Sequence, residues 1–550
     1  MATLYISPTG SGTRDGSSLA NAGTISNLSS FIGKAGAGGQ VLLRADQGAY
    51  NLSGQITIKS GGSTGAPVTI RGVDASGNTK LAQINGTRAV DWTTGKAAGS
   101  EVFRLLSGAD HLKFEAMAFS NIGDGAFRVG ADIQDITLED MQATNVKRFL
   151  SNTVSSGYSS ASVKGLTVRN VEVNKYSENA IKLQYNSSNI VIENVIGRGD
   201  TGTPEQYVFG VSLDGTAHDV LFRNVTMQNN YARGPSNVYW NGDGFTTEGG
   251  NYNIRFENTV AFGNTDAGYD LKSSNTVLVN AIAIGNNRNY RFWSDSITME
   301  NSQSLDPRYF GGSASTDHFW LGERAHGKVT AGYISDQNAG LTVFDLWKTG
   351  AVLEVYDTRI ATAGKLSGLS SSSSLLLDAA SSGSAVTYPS SNLSAPLPAG
   401  TAPGAIFGTN GSDRLTGTSA AETVFGYGGN DKISGKGGRD ILLGGAGRDN
   451  FVFDTKPGGQ ASAATITDFR PGEDIISLDN AVYSRLIGRT LTSATFVAGG
   501  KALDSDDYVI YNSKSGALFY DPDGSGATAA VQVATLGNHA QLTAADFYVI

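Results

Sequence analysis

The segment LTVRNV at 166–171 returns as IVIENV at 190–195, VLFRNV at 220–225, IRFENT at 254–259, VLVNA at 277–281 and ITMENS at 297–302. Its asparagines, Asn170, Asn194, Asn224, Asn258, Asn280 and Asn301, follow at intervals of 24, 30, 34, 22 and 21 residues. Asp140 in LEDM and Ala116 in FEAM extend the series upstream. A repeat of just over twenty residues with occasional longer insertions predicts the coils of a right-handed parallel β-helix, each setting the same position above its counterpart. The asparagines then form a ladder of stacked amides at a turn that demands an unusual backbone conformation. Val168 and Val171, like Ile192 and Val195, alternate as a strand with one face in a core should.

A second column runs through GAFRV, NAIKL, FGVSL, DGFTT, AGYDL and NYRFW. Phe127, Ile181, Val211, Phe245, Tyr269 and Tyr290 take its inward positions. Alternation with period two turns the next residue outward, giving Arg128, Lys182, Ser212, Thr246, Asp270 and Arg291. Two residues further on, the same face carries Gln184, Asp214, Glu248, Lys272 and Trp293. Coils about 4.8 Å apart match the length of a sugar unit, so a polysaccharide can lie across several of them. Lys182, Arg128, Glu248 and Trp293 are the candidates for holding it, Trp293 as a stacking platform. The segment DHFWLGERAHG, with His318 and His326, is a further candidate lining.

Composition narrows the partners. With 41 Lys+Arg against 50 Asp+Glu the net charge is -9, which disfavours nucleic acid because phosphate binding needs a basic surface. The absence of cysteine excludes disulfides, thiolate metal sites and thiol nucleophiles. No stretch approaches the 18 or more apolar residues of a membrane helix, and MATLYISPTGSG lacks the basic and apolar regions of a secretory leader. The expected molecule is a monomer that does not insert into membranes.

Past residue 375 the chain turns Ser/Pro/Gly-rich, which predicts domains at 1–375 and 404–550 joined by a linker over 376–403. The period then becomes nine. GTNGSDRLT, GTSAAETVF, GYGGNDKIS, GKGGRDILL and GGAGRDNFV run without a gap from Gly408 to Val452. Acidic residues fall at Asp413, Glu422, Asp431, Asp440 and Asp449, apolar ones at Leu415, Val424, Ile433, Leu442 and Phe451. This resembles the RTX nonapeptide, which implies a parallel β-roll with Ca²⁺ on Asp413, Asp431, Asp440 and Asp449 and on glycine-rich turn carbonyls. The second copy departs from the pattern at Ser419, Ala420, Ala421 and Glu422. The tail ATITDFRPGEDIISLDN…LTAADFYVI resembles the cap of RTX exoproteins and their uncleaved type I secretion signal, implying export by the type I machinery to the outside of the cell.

YISPTGSGTRDGSS, VLLRADQGAY and ITIKSGGSTGAPVTIRG, followed by NGDGFTTEGG, GNTDAGYDLKSSN and GNNRNYRFW, resemble parallel β-helix polysaccharide lyases of the family-nine type, pectate and exopolysaccharide lyases among them. With the nonapeptide tail, the chain is similar to secreted rhizobial-type exopolysaccharide glycanases. The resemblance, over residues 1 to about 375, implies a Ca²⁺ site on Asp243, Asp266 and Asp270. Ala267 stands where the family often has another aspartate. The family's lysine base falls at Arg291, a poor base at its ordinary pKa of ~12 or more; Lys272, on the same side, is its rival. The implied reaction is Ca²⁺-assisted β-elimination in a uronate-containing acidic exopolysaccharide, with the metal offsetting the uronate carboxylate while the base takes the C5 proton.

Other readings remain. A hydrolase of the same polymer would need two carboxylates, which Asp243, Glu248, Asp266 and Asp270 can supply. Mannuronan C5-epimerases also join a β-helix to RTX repeats, but their Tyr-Gly-Phe-Asp-Pro-His type motif has no counterpart here. A non-catalytic RTX protein would use the groove only to bind polysaccharide.

Overall fold

Asn170 donates from Nδ2 to Asp140 Oδ1 at 2.8 Å, and Asn194, Asn224, Asn258, Asn280 and Asn301 each donate to the residue one coil earlier at 2.8–3.1 Å. From Asp140 to Asn301 every one of these residues has positive φ, between 46° and 54°. Asn and Asp tolerate this left-handed turn better than other side chains with a Cβ. The amide therefore makes the corner and ties it to its neighbour. Ala116, with φ 57°, makes the same corner upstream.

The structure, a computed structural model, describes residues 2–550 apart from 94, 95, 97, 201–206, 236, 337, 383–404 and 410. It divides into two compact units, Met1–Leu393 and Ser394–Ile550. In the first, 31 strands pair coil upon coil in the right-handed parallel β-helix. Phe127, Leu150, Ile181, Val211, Phe245, Tyr269, Tyr290, Phe319 and Phe344 stand in continuous register and are buried. The rings of Phe245, Tyr269, Tyr290 and Phe319 stack 5.0–5.1 Å apart at 12–16°. The column as read from sequence skips the coil of Leu150 and Ser151, where Asn152 occupies a buried position that is apolar in the neighbouring coils, Val129 and Leu183. The helix Leu28–Ala35 buries Leu28, Phe31, Ile32 and Ala35 in the same core.

A second ladder runs inside the wall. Asn230 Nδ2 donates to Asn264 Oδ1, and Asn264 Nδ2 to Asn286 Oδ1, each at 2.7 Å with both partners fully buried. It fixes the corner Asn264–Thr265 and so sets the height at which Asp266 leaves the wall. The β-helix runs past 375: Ser374–Leu377 pairs with the strand Val352–Tyr356, and the helical turn Ala379–Ser382 follows. Most of the expected linker, residues 383–404, lies outside the described residues.

In the second unit successive nonapeptides pair with alternate sheets, Arg414–Thr416 with Lys432–Ser434 and Thr423–Phe425 with Ile441–Leu443. Leu415, Val424, Ile433, Leu442 and Phe451 face the interior of this parallel β-roll. Among the described residues, no helix is long and apolar enough to cross a membrane.

Candidate functional site

The strands Asn241–Thr247, Ala267–Leu271, Arg288–Phe292, Asp317–Leu321 and Thr342–Leu346 lie on successive coils. Their register stacks Thr246, Asp270, Arg291, Trp320 and Asp345 in one column, and places Arg288 between Ala267 and Asp317. Sequence reading stopped this column at Arg291. One more application of its own repeat, to HFWL and VFDL, reaches Trp320 and Asp345. Arg288 lies three residues before the column, and Tyr239 comes from a segment without periodicity, so neither had a signal.

Asp266 is fully buried. Its Oδ1 accepts from Arg288 Nη1 at 3.1 Å, and its Oδ2 from Arg291 Nη1 at 3.3 Å and from the Tyr239 hydroxyl. Asp270 Oδ1 accepts the Trp293 indole N–H at 2.8 Å, while its Oδ2 lies 3.4 Å from both Arg291 Nη1 and Lys272 Nζ. Lys272 Nζ also donates to Glu248 Oε1 at 2.7 Å. Asp243 Oδ1 accepts from Ala267 N at 2.8 Å, but its buried Oδ2 meets no donor. The Arg291 guanidinium lies 4.6 Å from the centre of the Trp293 ring and 5.1 Å from that of Trp320. The cluster opens toward Glu248, whose side chain is 46% exposed, and Lys272, at 28%.

Charges follow from these neighbours. Burial pushes the Asp243 carboxyl well above its ordinary 3.8, and Asp266 and Asp270 add to the shift. Burial also raises Asp266, against the pull of Arg291 and Arg288. Burial works to lower Arg291 and Lys272, but Asp270 with Asp266, and Asp270 with Glu248, outweigh it, so both move upward. Nearby carboxylates thus favour the cationic form of both Arg291 and Lys272, which weighs against either as the base.

Of the carboxylates expected to hold Ca²⁺, Asp243, Asp266 and Asp270, the last two are met by cations of the protein. Ca²⁺ takes six to eight oxygens at about 2.3–2.6 Å. The place between Asp266 Oδ2 and Asp270 Oδ2 holds Arg291 Nη1, and Arg288 takes the other oxygen of Asp266. The donor set does not fit a bound Ca²⁺.

The remaining sequence candidates stand apart. Lys182 lies three coils before Asp270, roughly 14 Å at about 4.8 Å per coil, and pairs with Asp214 at 3.1 Å. Arg128 lies five coils before it, roughly 24 Å by the same spacing, held by Glu101 at 3.3 Å and by the carbonyls of Thr153 and Val154. His318 is buried between Ser304 and Asp336, and His326 pairs with Glu354 at 2.9 Å.

In the roll, Asp413 N donates to Asp431 Oδ1 at 2.8 Å, Asp431 N to Asp449 Oδ1 at 2.9 Å and Asp449 N to Asp474 Oδ1 at 2.9 Å. Glu422 N donates to Asp440 Oδ1 at 3.0 Å on the other side. Asp474 thus continues the row 25 residues on, outside the period of nine that made the others visible. Asp431 Oδ2 and Asp449 Oδ2 are buried without a donor. A Cβ at Gly426 or Gly444 would overlap those oxygens. Burial raises Asp431 and Asp474 to about 6, and Asp440 and Asp449 to about 7. Unpartnered carboxylate oxygens over side-chain-free turns fit Ca²⁺.

The RTX calcium-binding nonapeptide repeat (four copies) matches residues 407–442 and 416–451. The second unit carries RTX repeats. No curated protein matches the chain in sequence. Among solved structures, the chain is similar to pectate lyase Pel9A at 18% identity, over 57% of this chain and 78% of that one, with a TM-score of 0.44. It is similar to a rhamnogalacturonan lyase at 13% identity, over 60% and 87%, with a TM-score of 0.43. It is also similar to the catalytic domain of a GH87 alpha-1,3-glucanase at 12%, over 62% and 64%, with a TM-score of 0.41. Such distant likenesses decide nothing about the reaction, which rests on the site's own residues.

Proposed function

We propose that the chain is a secreted enzyme that cleaves a uronate-containing acidic polysaccharide by β-elimination, and that its RTX roll folds with Ca²⁺ after export by a type I system. The observation that supports this most is the convergence of Arg291 and Lys272 on Asp270, beside the Trp293 ring, at the open side of the cluster. Both cations are held protonated by carboxylates and can offset the charge of a uronate. Offsetting it acidifies the C5 proton. We assign Glu248, the open carboxylate beside Lys272, to accept that proton as the C4=C5 bond forms and the C4–O bond breaks, the departing oxygen taking its proton from water. Asp266, Tyr239 and Arg288 position Arg291 from behind.

Hydrolysis is the second reading, favoured by the raised Asp243 carboxyl near Asp270: two acids whose environments differ can serve as proton donor and acceptor. Incubation of the folded chain with a panel of acidic polysaccharides tests both. Growth of unsaturated-uronate absorbance supports elimination; new reducing ends without it support hydrolysis. Binding with no shortening of the polymer would sink both.

A further inference from the structure

We infer that the β-helix site works without a bound metal, with the buried guanidinium of Arg288 and that of Arg291 in the place a divalent cation would take. The inference concerns the same site as the proposed activity but does not depend on that activity.

Three carboxylates, Asp243, Asp266 and Asp270, face three cations, Lys272, Arg288 and Arg291. Arg288 is locked in position: Nη1 donates to Asp266 Oδ1 at 3.1 Å and to the Tyr239 hydroxyl at 3.2 Å, Nη2 donates to Ser315 Oγ at 3.2 Å, and Nε lies 3.8 Å from Asp317 Oδ2. The residue is 6% exposed and cannot swing into solvent without opening the wall. Arg291 Nη1 lies 3.3 Å and 3.4 Å from the two carboxylates that a shared ion would bridge. A divalent ion entering here would have to displace one guanidinium while repelled by the other. The orphaned oxygen, Asp243 Oδ2, is a single ligand, and a hard cation needs several oxygens. The Ca²⁺ of this chain then belongs to the roll.

All five tryptophans, Trp92, Trp240, Trp293, Trp320 and Trp347, lie in the β-helix unit, and Trp293 touches Asp270 directly. Tb³⁺ is the probe. The Ca²⁺-depleted full chain is titrated with Tb³⁺ and excited at the red edge of tryptophan absorption, where tyrosine does not absorb. The expected result is no tryptophan-sensitised emission, or emission that Asp270→Asn leaves unchanged, while tyrosine excitation reports filling of the roll. Tryptophan-sensitised emission that Asp270→Asn removes would overturn the inference. Bound Ca²⁺ per chain, counted by equilibrium dialysis, gives a second readout. It should stay the same in Asp243→Asn and fall in Asp449→Asn; a loss of one Ca²⁺ in Asp243→Asn, with near-UV dichroism intact, overturns it equally. Neither readout uses turnover, so a failed activity assay leaves the inference standing.

Discussion

The Trp293 indole donates to Asp270 Oδ1 at 2.8 Å while its ring covers the Arg291 guanidinium at 4.6 Å, so one side chain orients both members of the central ion pair. Trp293→Phe keeps a ring over Arg291 but removes the donor. It should lower kcat/KM on the acidic polymer by roughly tenfold, the equivalent of one hydrogen bond to a charged group. Thermal unfolding of the β-helix should change little. An unchanged kcat/KM would remove Trp293 from the site.

Glu248 and the two cations should separate kinetically. Glu248→Gln should lower kcat with little change in KM, whereas Lys272→Met should raise KM more than it lowers kcat. Polymer affinity measured in the Glu248→Gln variant should remain near wild type. If Glu248→Gln turns over normally, another group takes the proton.

Calcium binding by the roll should depend on pH with a defined sign. Asp431, Asp440, Asp449 and Asp474 have folded-state values of about 6 to 7 against an ordinary 3.8. A raised folded value means that their contribution to the Ca²⁺-depleted roll is present at low pH and is lost as pH rises from about 4 through about 7. Ca²⁺ needs the deprotonated oxygens, so its binding releases protons and tightens across the same window. The Ca²⁺ midpoint of the far-ultraviolet dichroism change, followed with pH, checks this; a midpoint that is flat between pH 5 and 7.5 would contradict it, both values being about the edges of that window.

Gly444→Ala puts a methyl where Asp449 Oδ2 lies, 2.3 Å from the new Cβ. The variant should bind less Ca²⁺ per chain than wild type, and its roll should need a higher Ca²⁺ concentration to fold. Equilibrium dialysis on the full chain measures the first, and far-ultraviolet dichroism followed with Ca²⁺ concentration the second.

Asn194→Ala loses the amide that donates to Asn170 and accepts from Asn224, and forces alanine to φ 53°. The two effects together should cost about 2 kcal/mol. Asn194→Gly accepts the turn and loses only the two ladder bonds, so it should fall between alanine and wild type in urea unfolding.

The ladder, the inward column and the nonapeptide row were legible because each repeats a residue type at a fixed structural position. Asn170 and Asn194, or Asp431 and Asp440, announce one another. The site was legible only where it shares that periodicity: Asp270 and Arg291 appear because they occupy one register column. Tyr239 and Arg288 were invisible because one arrives from a longer coil and the other sits off the column. The direction of charge was invisible too. Whether Arg291 can act as a base depends on which carboxylates surround it, and Asp266 reaches it only through the corner that the buried asparagines fix.

The asparagine corner also separates what can vary from what cannot. Every coil closes at the same left-handed turn, yet the intervals between those turns run from 21 to 34 residues. The surplus must therefore be accommodated away from the corner, and the longest interval, between Asn224 and Asn258, is the one that delivers Tyr239 to Arg291. Length changes in the loop of that segment before the strand Asn241–Thr247 alter what borders the cluster without entering the paired strands of the wall. On the proposed activity, polymer preference is then open to loop grafting without redesign of the wall.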